Sequence, residues 1–123
     1  MKKTLAIFGI AGLLAATLSG CAAGPTTLQK VSEECNLSDG FRIGDEGKTL
    51  SLDMMGEDEY TGANIDDIVC VVQSQRIKMP EFIINSIETT RALDGKQTGD
   101  WDGFEAEWSY HPDNGLDLMI HQK

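Results

Sequence analysis

Histidine and basic residues are scarce: two histidines and ten lysines or arginines stand against twenty acidic residues in a chain of 123. That shortage excludes nucleic acid as a partner, because a phosphate backbone must be met with Lys and Arg. It also opposes simple electrostatic adhesion to anionic lipid. With only His111 and His121 present, a hydrolytic triad has few places to sit. Cysteines without a histidine nearby in sequence are poor zinc ligands. Long apolar runs are missing too: the stretch at residues 5–18, broken by Thr17, falls short of the roughly 20 residues that span a bilayer.

What that stretch does resemble is an export signal. Met1, Lys2 and Lys3 give a positive start, the apolar run follows, and Leu18-Ser19-Gly20-Cys21 closes it. The last four residues resemble the lipobox of bacterial lipoprotein precursors. The resemblance covers residues 1–21 and implies removal of residues 1–20 as signal peptide. It implies a diacylglyceryl group on the Cys21 sulfur, with the new amino terminus open to acylation. No other cofactor is implied. The expected partner is then a lipid bilayer, and the expected location is the extracytoplasmic face of a bacterial membrane. An ordinary signal whose cleavage site happens to hold a cysteine is the plainer alternative. Residues 21–30, rich at first in Ala, Gly, Pro and Thr, read as lipid-attachment cysteine and flexible spacer.

Residues 31–123 leave about 90 positions for one small domain, enough for a core but not a generous one. Export places the remaining cysteines, Cys35 and Cys70, where disulfides persist. A bond between them is the expectation, with two buried free thiols as the alternative. Both signal lysines leave with the signal, so eight basic residues face twenty acidic ones and the exported chain carries −12. Such a surface suits solubility, a basic partner or loosely held divalent cations.

Leu50, Leu52 and Met54 alternate with polar residues and predict a half-buried strand. The acidic connection 56–67 follows, and Ile68-Val69-Cys70-Val71-Val72 predicts an interior strand. Pro80 opens a helix and Gly95 closes it, with Ile83, Ile84, Ile87 and Leu93 as its apolar stripe. Residues 94–103 read as a loop. Phe104, Ala106, Trp108 and Tyr110 then alternate cleanly, a turn follows at 111–115, and Leu116, Leu118 and Ile120 alternate again. The last two segments predict an antiparallel hairpin. The fold class expected is α+β: an antiparallel sheet of about four strands with one helix packed across it, β-β-α-β-β, and one disulfide. A further short strand is available at residues 41–43. Residues 108–116, with 90–95 before them, are similar to material from small uncharacterised envelope lipoproteins of Gram-positive, high-GC bacteria. That resemblance carries no activity and transfers no site residue.

Chemistry-bearing constellations are thin, and the expectation is a protein without catalytic residues. His111 lies beside Ser109 and Asp113 in a turn, where a structural role suffices. Glu105 and Glu107 share a strand face expected to meet solvent, without the cleft that glycoside hydrolysis requires. No metal site is expected. The weak calcium candidates are Asp94, Asp100 and Asp102, with Glu57, Asp58 and Glu59 in another loop; neither group has the ligand spacing of an EF-hand. Trp101 and Tyr60 are candidates for partner contact, since an aromatic in a loop can anchor a partner. Trp101 can equally fold back as a lid on the core. Together these readings point to a membrane-anchored, non-enzymatic interaction or accessory module. The alternatives are a small-ligand or calcium-binding lipoprotein, or one that excludes phage or competitors.

Overall fold

Two capping boxes organise the helical layer, each a short polar side chain paired with a residue three positions on. The computed structural model describes residues 24–123, so the expected export signal and Cys21 lie outside the described residues. Thr26 and Gln29 exchange side-chain and backbone hydrogen bonds and start helix α1 (Thr27–Glu34). Asn64 and Asp67 do the same for helix α2 (Ile65–Val72). Each box satisfies backbone donors that a helix end leaves unpaired, a contribution of about 1 kcal/mol. Helix α3 (Glu81–Glu88) follows Pro80, whose missing N–H costs nothing at a helix start.

Between and after the helices run strands β1 (Phe41–Gly44), β2 (Thr49–Asp53), β3 (Gln97–Trp101), β4 (Phe104–His111) and β5 (Gly115–Gln122). All pair antiparallel, in the order β1-β2-β5-β4-β3. The registers Leu50↔Ile120, Leu52↔Leu118, Ala106↔Ile120 and Trp108↔Leu118 put one apolar row after another on a single face. Leu28, Val31, Ile68, Val71, Ile83 and Ile87 cover that face from the helices, with Ile77 from the turn between α2 and α3. The result is a two-layer α+β arrangement with its core between helices and sheet. Cys35 and Cys70 are joined in a disulfide that ties the end of α1 to α2.

Four expectations need correction. Residues 68–72 form the second half of helix α2, not an interior strand; Ile68, Val71 and Val72 are buried at helical spacing. A wholly apolar five-residue run has no period to distinguish the two, and the cap at Asn64 decides. The helix after Pro80 stops at Glu88, because Thr89 and Thr90 turn their hydroxyls back onto the carbonyls of Asn85 and Ser86. Leu93, on the short 3-10 turn Ala92–Asp94, is 94% exposed and lies off the stripe. Residues 97–101 are edge strand β3 rather than loop, joined to β4 by the two-residue turn Asp102-Gly103, with Gly103 at φ +78°. Gly99 there packs against Ile83, which is 3.1 Å from where a Cβ would stand. Finally, α1 begins at Thr27, so the end of the expected spacer at 21–30 is helical.

Candidate functional site

The two ends of the sheet differ in character. At one end Thr26 Oγ1 donates to the Gly47 carbonyl at 2.5 Å, and Gln122 N donates to Lys48 O at 2.7 Å. The chain enters the domain here. At the other end Met54 N donates to Leu116 O, Met55 N to Ala63 O and Glu57 N to Asp113 O, each at 3.0 Å. These bonds gather the acidic connection, the start of α2 and the β4–β5 turn into one surface.

An apolar groove of about 690 Å³ opens at that second end. Ile65, Ile68, Val69 and Val72 of α2 form one wall, and Ile84 and Ile87 of α3 form the other. Leu93, Tyr110, Pro112 and Leu116 close it from the 3-10 turn and the hairpin, with Met54 beneath. Ile65 is 57%, Tyr110 39% and Leu93 94% exposed. Large apolar side chains left in water cost about 25 cal/mol per Å² of exposed surface, which makes this cluster the candidate contact surface. Glu88 and Arg91 belong to the lining. Asp66 and Asp113 directly follow the lining residues Ile65 and Pro112, and Glu57 N donates to Asp113 O; all three acids are exposed.

The sheet face opposite the core is polar and carries two further depressions, of about 680 and 610 Å³. In one cross-strand row Thr49, His121 and Glu105 lie side by side. Thr49 Oγ1 donates to Asp45 Oδ2 at 2.6 Å and stands 2.8 Å from His121 Nδ1. The hydroxyl has one proton, and it goes to the carboxylate. His121 must therefore hold its own proton on Nδ1 and donate it to Thr49 Oγ1. Thr49 is buried and its proton already bound, so the chain Asp45–Thr49–His121 fastens the 3-10 turn Asp45–Gly47 to β5 rather than activating a nucleophile. His121 is thus ordered within β5 and not at a frayed terminus. In another row Asp53 stands opposite Asp117. Burial first, then the hydrogen bond and charge of Asp53 and the charge of Glu59, raise the Asp117 carboxyl above its ordinary pKa.

The residues singled out in sequence scatter. Trp101 is the last residue of β3 and 9% exposed; its ring stacks on Phe104 with centroids 5.7 Å apart, and Nε1 donates to Ile77 O at 2.7 Å. It folds back on the core, with its one polar atom bonded inside. Tyr60 is 98% exposed in the acidic connection. Asp94 accepts from Arg91 N at 2.8 Å, and that bond foremost holds its carboxyl below the ordinary range. Asp100 is paired with Lys123 Nζ at 2.5 Å, while Asp102 is exposed in the β3–β4 turn. Among the described residues, no three His, Cys, Asp or Glu side chains are placed to hold a metal ion together. His111 Nδ1 accepts from Asp113 N at 3.2 Å, a turn-capping contact. Glu105 and Glu107 lie on the polar sheet face as expected.

Among the described residues, no helix is long and apolar enough to cross a membrane. The groove itself was not legible in sequence: its lining comes from four separate segments, and only the amphipathic Ile84 and Ile87 hinted at it. Comparison with protein-family models, with curated proteins and with solved structures finds no match for this chain.

Proposed function

We propose that this protein is an extracytoplasmic lipoprotein, anchored through Cys21, whose domain is a non-enzymatic docking module for another envelope protein. The anchor reading rests on the charged start, apolar run and lipobox-like Leu18-Ser19-Gly20-Cys21, and the Cys35–Cys70 disulfide suits an exported chain. The docking reading rests on one observation: the apolar groove with Ile65, Leu93 and Tyr110 exposed at its mouth, at the end of the sheet opposite Thr26. A tether at one end and an apolar mouth at the other suit a module that meets a partner beyond the membrane surface.

Covalent cross-linking in intact cells, followed by mass spectrometry, tests both halves. One recurrent partner, lost with Leu93→Glu and kept with Met119→Glu on the opposite sheet face, is the expected result. Recurrent partners indifferent to Leu93→Glu would overturn the groove as the docking site. Fractionation of Cys21→Ser tests the anchor separately: release from the membrane fraction is expected, and unchanged sedimentation overturns it. A small apolar ligand is the second reading, because about 690 Å³ falls within the usual range of ligand pockets. Native mass spectrometry of the membrane-extracted protein distinguishes it by a retained small mass.

A further inference from the structure

Building on the groove's role as the docking site, we infer that its occupant is a basic amphipathic segment of a partner protein, apolar on one side and flanked by Lys or Arg. The groove supplies the apolar half of that complement through Ile65, Ile84, Leu93 and Tyr110. The surroundings supply the charge. Glu88 lines it, Asp66 and Asp113 directly follow the lining residues Ile65 and Pro112, and Glu57 N donates to Asp113 O; all four are exposed, and the basic residue in the lining, Arg91, is already engaged by Asp94 at 3.4 Å. A cationic flank would therefore meet unneutralised carboxylates, which raises encounter rate and selects against acidic competitors.

Other occupants fit less well. A second copy would set the same acidic rim against itself. An anionic lipid surface would be repelled for the same reason.

The test uses the full chain in nanodiscs of neutral phosphatidylcholine and two fluorescent helical peptides of equal length. One alternates Leu and Lys faces, the other Leu and Glu faces. Anisotropy, corrected with empty nanodiscs, should register the Leu/Lys peptide and not the Leu/Glu peptide. Leu93→Glu should then weaken Leu/Lys binding by about tenfold, although it adds a negative charge and so strengthens any unspecific attraction. Met119→Glu should leave it unchanged, and Glu88→Gln with Asp66→Asn should lower it several-fold. Equal binding of both peptides would overturn the basic occupant while leaving the groove as a docking site. Leu/Lys binding that survives or rises with Leu93→Glu would assign it to bulk charge and overturn the inference. No binding of either peptide would overturn the inference; a cellular cross-link still lost on Leu93→Glu would then retain the docking reading with another occupant.

Discussion

Asp53 and Asp117 face each other in direct register across β2 and β5, two carboxylates held side by side by the sheet. Like charges placed so oppose folding once both are ionised. Asp117 has its pKa raised by burial, by Asp53 and by Glu59. A group that binds its proton more tightly in the folded state contributes stability that is fully present below the unfolded pKa. That contribution is lost as pH rises through the folded value. Asp117→Asn keeps the shape and removes the charge. Its melting temperature should exceed the parent's by a few degrees at pH 7 and converge with it at about pH 3. Thermal unfolding at the two pH values checks this, and an equal gap at both would contradict the charge argument.

The disulfide should be a large single contributor to stability. Cys35 and Cys70 are 35 positions apart, and closing a loop of that size removes unfolded-state entropy equivalent to about 4 kcal/mol. Reduction, or paired replacement by serine, should lower stability by roughly that amount and leave far-ultraviolet circular dichroism of the folded fraction unchanged at low temperature. Urea unfolding with and without reductant measures it.

Two glycines offer a matched comparison. Gly40 and Gly95 share a positive φ, at +66° and +67°. A Cβ on Gly95 would meet nothing within 4 Å, whereas one on Gly40 would stand 2.0 Å from Ala63 N and 2.4 Å from Asp53 O. Gly95→Ala should cost only the backbone penalty, about 1–3 kcal/mol at its ψ of −155°. Gly40→Ala must also push the connection before α2 off β2, and should lose more than about 3 kcal/mol. Equal losses for the two would refute the close approach.

Trp101 should behave as core. Truncation to Ala should cost about 3–5 kcal/mol. Trp101→Phe should cost about 1–2 kcal/mol, because it strands the Ile77 carbonyl. A near-neutral Trp101→Ala in chemical denaturation would return this residue to the surface. Trp101 is thus a probe of the core, and Leu93, 94% exposed, a probe of the proposed docking surface.

Legibility in the sequence followed solvent exposure. The β4–β5 hairpin could be read because each strand buries one face and wets the other, which writes a period of two into Phe104 to Tyr110 and Leu116 to Ile120. The same reasoning failed for α2, whose apolar run carries no period. The Asn64–Asp67 spacing was the readable sign. Edge strand β3 was hidden because Gly99 and Thr98 supply no apolar alternation. Asp102-Gly103, two residues flanked by aromatics, was its one clue. The groove is a tertiary product of α2, α3, a 3-10 turn and a hairpin, so no local pattern encodes it.

The way α1 is fastened also sets how the domain bears load. A pull on the amino-terminal side meets the Thr26–Gly47 hydrogen bond and then the eight residues of α1. Unravelling halts at Cys35, where a covalent bond passes the force to α2. From Cys35 the load divides between the chain leading to edge strand β1 and, through the disulfide, α2, so a covalent path that does not pass through the sheet joins the amino-terminal end to one wall of the apolar mouth.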